Sequence, residues 1–231
     1  MTWDIALVRR LQHRQHHFDL AVTCRSAAQR LVLFGPSGAG KTLTLKMVAG
    51  LLRPDSGHVR VAGVTLFDSV QQVNLSPQSR RLAYVFQDYA LFPHLTVRQN
   101  IAFALRTGWR NPARGAASEA VDHWMEGFAL QPVQSHYPHQ LSGGQKQRTA
   151  LARALVAQPR ALLLDEPFAA LDKVLRQRLR EQLAQLLADI RIPMLLITHD
   201  DDDVTCLGDD VVFLTGGRVV TRAQAQEALV E

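Results

Sequence analysis

Short, largely apolar runs at residues 30–34, 82–86, 161–164 and 194–197 punctuate the chain. Runs of this length read as buried strands. Between them the spacing turns helical. A glycine-rich loop after residue 34 should open a helix running to Ala49 and ending at Gly50. Leu175, Leu179, Leu183, Leu186, Leu187 and Ile190 recur at helical spacing and belong to the core of another helix. Alternation of this kind predicts an α/β domain built on a mostly parallel core sheet flanked by helices.

Two regions break the alternation. Residues 5–8 and 18–23 are alternating or β-branched and predict an antiparallel edge, with the polar stretch 13–17 as its turn. Pro54, Ser56 and Gly57 mark a turn before a strand at 58–61. Residues 88–140 take a helical pattern, interrupted by a Gly-, Pro- and Arg-rich stretch at 108–115 and restarted at an expected N-cap, Ser118. A further helix follows Leu141. Residues 211–214, Gly216, Gly217 and residues 218–221 read as a hairpin before a last helix. An antiparallel β subdomain and a helical subdomain are thereby expected beside the parallel core.

At 231 residues and 47% hydrophobic composition, the chain can bury a large core. Its longest apolar run falls short of the ~18 residues a spanning helix needs, and Met1 begins no basic stretch leading into an apolar segment. The reading is a soluble subunit. Cys24 and Cys206 lie far apart without metal-ligand spacing and read as thiols of a reducing compartment. The net charge of +5 is dispersed along the chain, so no nucleic-acid partner is expected.

The chemistry is concentrated in three segments. Gly35, Pro36, Ser37, Gly38, Ala39, Gly40, Lys41 and Thr42 fit the phosphate-loop pattern, between a strand and a helix where the mechanism requires it. Backbone N–H groups and the helix N-terminus cradle phosphates there; Lys41 reaches the β and γ oxygens and the Thr42 hydroxyl ligates Mg2+. Residues 161–166 supply an apolar strand ending in adjacent carboxylates. Asp165 would hold Mg2+, and Glu166 would orient or deprotonate the attacking water. The third segment, Leu141, Ser142, Gly143, Gly144 and Gln145, places an N-cap serine and two glycines at a helix start, a second anion-binding end.

With that third segment the chain resembles the ABC ATPase family. The resemblance implies ATP and Mg2+ as cofactors and a head-to-tail homodimer, in which Ser142, Gly143, Gly144 and Gln145 cap the γ-phosphate bound to the second copy. Gln87 resembles the family's glutamine that senses Mg2+ and water. Ala169 to Asp172 resembles the loop crossing the dimer interface, and His199 the switch histidine that contacts the γ-phosphate. The implied catalytic set is Glu166, His199, Gln87 and Lys41, with Thr42, Gln87 and Asp165 at the metal and Asp172 at the nucleotide.

Two features depart from the family's pattern. Where an aromatic ring usually lies under adenine, this chain offers Gln12, His13, His16 and His17, and the nearby Phe18 reads first as a core residue of its strand. The run Asp200 to Asp203 is also more acidic than is common.

Residues 86–97, with Phe92, Pro93, His94 and Leu95, resemble the bacterial importers that work with a substrate-binding protein. Within these, residues 66–68, 75–77 and 80–87 are most similar to the molybdate-type ATPases, while tungstate, sulfate and ferric-ion relatives share parts of the pattern. The resemblance implies transmembrane permease subunits as partners, an indirect link to a binding protein, and a peripheral position on the cytoplasmic face of the inner membrane. It also implies a single ABC ATPase domain over 1–231, with the helical subdomain inserted at about 88–155; many members of the family carry a C-terminal regulatory β-domain, and with the sequence stopping at Glu231 none is expected here. An exporter subunit and a non-catalytic cassette are the competing readings.

Overall fold

The computed structural model describes the chain except residues 14–15, 107–110, 114–117, 170–172 and 228–231. Part of the expected interruption at 108–115 lies outside the described residues. Among the described residues, eleven strands join one sheet, in two halves of different character.

The parallel half contains β3 (Arg30–Phe34), β7 (Leu82–Val85), β8 (Ala161–Asp165), β9 (Met194–Thr198) and β10 (Asp210–Thr215), in the order β10-β3-β9-β8-β7. Alternate side chains of its inner strands enter two separate cores. Leu31, Leu33, Leu163 and Leu195 pack with α1 (Lys41–Ala49), whereas Val32, Phe34, Leu162 and Leu196 pack on the opposite face. Both faces are covered, which is why these strands are apolar throughout.

The antiparallel half is β1 (Trp3–His13), β2 (His16–Ser26), β4 (Ser56–Val61), β5 (Val64–Asp68) and β6 (Val73–Asn74), in the order β6-β5-β4-β1-β2. The first two strands are eleven residues long, much longer than the apolar pattern predicts. Register explains the difference: exposed positions carry charge pairs across neighbouring strands, Arg10 to Asp19 at 2.8 Å and Arg25 to Asp4 at 3.0 Å. The strands also take in most of the polar stretch expected as a turn, with His13 paired to His16. A short strand, β11 (Arg218–Val220), joins the halves, pairing with β10 and with β2. Its turn, Gly216 and Gly217, has positive φ at both positions, as a two-residue hairpin requires.

The strand β5 was not legible in the sequence because its hairpin turn is Ala62-Gly63 rather than a strong turn dipeptide. A second feature invisible in the pattern is the buried α2 (Pro77–Arg80) arginine. The Arg80 guanidinium donates to the Met47 and Val48 carbonyls at the end of α1, at 2.8 and 2.7 Å, taking up groups a helix terminus leaves unpaired.

The described residues within 88–140 are less helical than their pattern predicts. They form α3 (Val97–Phe103), α4 (Glu119–Gly127) and two single 3-10 turns. Pro93, Pro132 and Pro138 explain much of the shortening, since proline removes a backbone donor and restricts its predecessor. Ser118 caps α4 as expected, accepting from the Val121 N–H. These helices pack on α5 (Gly143–Val156), and Gly144 of α5 lies against Leu175 and Leu179 of α6 (Lys173–Ile190). The remaining helices are α7 (Asp201–Leu207) and α8 (Arg222–Glu227).

Candidate active site

The phosphate loop leaves β3 and enters α1 through two glycines in the left-handed region, Gly38 at φ 81° and Gly40 at φ 99°. Gly35 is needed for a different reason: a Cβ there would lie 2.1 Å from the Leu214 carbonyl oxygen of β10. The loop wraps the buried Lys41, whose Nζ donates to the Gly35 and Pro36 carbonyls at 2.6 and 2.9 Å. Burial holds the Lys41 pKa below the ordinary lysine value, opposed by nearby Glu166 and Asp165.

Because β3, β9 and β8 are adjacent and parallel, their C-terminal ends meet beside this loop. At the end of β8, the Asp165 Oδ1 accepts from the Thr42 hydroxyl at 3.2 Å and its Oδ2 from the Tyr84 hydroxyl at 2.7 Å. The next residue, Glu166, has φ 44°, unusual for a side chain of its size, and is held there by its N–H to the Ile197 carbonyl. This bend points one carboxylate oxygen at Lys41 Nζ, 3.5 Å away, and the other at His199 Nδ1, 3.2 Å away. Three predicted residues from distant parts of the sequence are thus joined through one carboxylate.

A cleft of about 470 Å³ opens over the loop, lined by Ser37, Gly38, Ala39, Gly40, Lys41, Thr42, Gln87 and Glu166. Its far wall is Leu11 and Phe18, cross-strand partners in the hairpin of β1 and β2. Phe18 packs against the core, as its strand position predicts, and also lines the cleft. Leu11 was not singled out from sequence; only the register of its strand places it there.

Ser142, Gly143, Gly144 and Gln145 are not among the residues lining this cleft. Ser142 caps α5, accepting from the Gln145 N–H at 3.3 Å, while the Gln145 amide oxygen accepts from the Ser142 N–H at 2.9 Å. Asp172 lies outside the described residues.

The acidic run after His199 is built into a buried network. Arg180 of α6, 2% exposed, donates through Nε to Asp203 at 2.7 Å and through Nη2 to Asp200 at 3.1 Å. Asp203 also accepts from the Thr198 hydroxyl at 2.7 Å, and that hydroxyl accepts from the Asp200 N–H. The residues on both sides of His199, Thr198 and Asp200, are therefore tied to α6 through Asp203 and Arg180.

The ABC transporter family profile matches residues 19–169, a span holding the phosphate loop, the Ser142 segment and the Asp165–Glu166 pair. The chain belongs to the ABC transporter family. Among its relatives, the cassette is 41% identical over 209 residues to the molybdenum import ATP-binding protein ModC of Paramagnetospirillum magneticum, covering 90% of this chain and 56% of that protein. It is 44% identical over 191 residues to the sulfate/thiosulfate import ATP-binding protein CysA of Caulobacter vibrioides, covering 82% and 55%. The chain therefore spans little more than half the length of these relatives. A dimeric post-hydrolysis structure of the ATP-binding cassette MJ0796 bound to ADP and phosphate superposes with a TM-score of 0.77 at 26% identity, covering 96% of this cassette and 97% of that one.

Proposed function

We propose that this cassette binds and hydrolyses ATP to energise a binding-protein-dependent importer of molybdate. The observation that carries the enzymatic reading is the Glu166 carboxylate, held between Lys41 and His199 at the mouth of the phosphate-loop cleft. In such a site Lys41 exchanges its loop carbonyls for the β and γ oxygens of ATP, and Leu11 and Phe18 offer an apolar wall to the base. Glu166 takes a proton from water as its oxygen attacks the γ-phosphorus and ADP departs, while His199 holds the carboxylate and the transferred group in line.

The Thr42 hydroxyl and Asp165 carboxylate, neighbours at 3.2 Å, are hard oxygen donors suited to Mg2+, with Gln87 close by in the cleft. The ion supplies charge neutralisation on the phosphates.

A second copy completes the reading. Ser142 is exposed on a capped helix end outside its own cleft, available to the γ-phosphate of a partner's ATP; the family resemblance assigns Asp172, outside the described residues, to the same nucleotide. A separate groove of about 580 Å³, walled by Phe86, Phe92, Phe103, Arg81 and Arg153, fits a short helix of a permease. Among the described residues no helix is long and apolar enough to cross a membrane; peripheral attachment at the cytoplasmic face belongs to the importer reading and rests on the permease partner. One ATPase domain with an inserted helical subdomain at about 88–155 accommodates both surfaces.

The experiment is Glu166→Gln. It should retain ATP binding and accumulate a closed dimer while turnover is lost; native-rate hydrolysis by this variant would show that another group is the base. For the cargo, ATPase activity is measured with the cognate permease and binding protein. Stimulation by molybdate supports the substrate assignment. Stimulation by sulfate moves the protein to the second reading favoured by its CysA-like relative, and indifference to every anion points to an exporter.

A further inference from the structure

Among the described residues, Tyr84 supplies a contact to the Asp165 carboxylate from outside the phosphate loop. It lies near the end of β7, opposite Leu163 of β8 in parallel register. Its hydroxyl donates to Asp165 Oδ2 at 2.7 Å, and Oδ1 of the same carboxylate faces the Thr42 hydroxyl. Asp165 is only 6% exposed, so water has little access to orient it. The Tyr84 ring is itself fixed, tilted against the Phe86 ring with centroids 4.2 Å apart.

A carboxylate with both oxygens free can rotate about its Cβ–Cγ bond and present either one or both to a cation. Here one oxygen is occupied by a charge-assisted donor from a rigid strand, which leaves the other beside Thr42. We propose that Tyr84 is a positioning residue for the metal site: its hydroxyl fixes Asp165 so that Oδ1 is presented to the divalent cation. This inference rests on the assignment of Asp165 to the metal. A leucine or phenylalanine would fill the strand position equally well but would leave the carboxylate unlocked.

The test is Tyr84→Phe in the full chain, which removes one oxygen and retains the ring contacts. Mn2+ binding in the presence of ADP is read by electron paramagnetic resonance, with Asp165→Asn in parallel. Nucleotide affinity in EDTA reports the folded fraction. Tyr84→Phe should weaken Mn2+ binding roughly tenfold, the scale of a lost hydrogen bond to a charged group, and leave EDTA affinity unchanged. The Mg2+ concentration that half-activates ATP hydrolysis should rise by the same factor, with kcat at saturating Mg2+ within about twofold of the parent. If Asp165→Asn weakens Mn2+ binding and Tyr84→Phe does not, the positioning role is wrong and the site assignment stands. If neither variant changes Mn2+ binding, the assignment of Asp165 itself falls.

Discussion

Replacing Arg180 with methionine should destabilise the cassette by about 3 kcal/mol at neutral pH. The magnitude follows from what the guanidinium leaves behind. Arg180 and Asp203 are 2% and 4% exposed, and the pair is reinforced by Asp200 at 3.1 Å and by Gln177 at 2.9 Å. Truncating one partner of a buried pair costs about 3–5 kcal/mol, because the other charge stays desolvated. The low end applies here: Asp203 retains the Thr198 hydroxyl, and protonation offers it an escape. Desolvation already raises the Asp203 pKa above the ordinary carboxyl value even with Arg180 present.

An acid whose folded pKa is raised stabilises least when ionised, so loss of Arg180 should hurt more as pH rises and less as pH falls towards the ordinary carboxyl range. Denaturant titration at two pH values reads both the size and the sign. The double variant Arg180→Met with Asp203→Asn removes the stranded charge while keeping an acceptor for Thr198, and should recover to within about 1–2 kcal/mol of the parent. Turnover should fall more than KM rises, since Thr198 and Asp200 flank His199. A loss below about 1 kcal/mol for Arg180→Met, or no recovery in the double variant, would refute the buried-pair argument.

Gly40→Ala should cost about 1–2 kcal/mol through its left-handed φ of 99°, since the Leu20 and Phe18 side-chain tips facing the new Cβ can shift. Denaturation and binding of a fluorescent ATP analogue check it, with affinity expected to drop about tenfold as the loop opens. Asp4 is held near pKa 2, first by His58 and then by Arg25 and Arg60. Because this pKa is depressed, the associated stability is present above the ordinary carboxyl value near 3.8 and is lost as pH falls towards 2. Asp4→Asn should therefore cost about 1–2 kcal/mol at pH 7, after allowance for solvent screening, and little in acid; parallel pH titrations of stability would show a constant offset if the network were inert.

The sequence by itself determined whatever is specified within a few residues. The strand at Arg30–Phe34, the helix stop at Gly50, the phosphate loop and the Ser118 and Ser142 caps were all legible, because each depends on neighbouring side chains, a φ angle or a capping oxygen. The order of the carboxylates and His199 was legible by resemblance, but their union through Glu166 was not. That union depends on which strand ends are adjacent. Strand order likewise put Leu11 and Phe18 on the cleft and delivered the Tyr84 hydroxyl to Asp165. The run Asp200 to Asp203 had no interpretable role along the chain, since its partner, Arg180, lies in the preceding helix α6, with β9 between them. Buried charges and long-range hydrogen bonds acquire meaning only when distant segments are brought out of water together. For that reason tertiary packing, rather than local pattern, decided how this site is held.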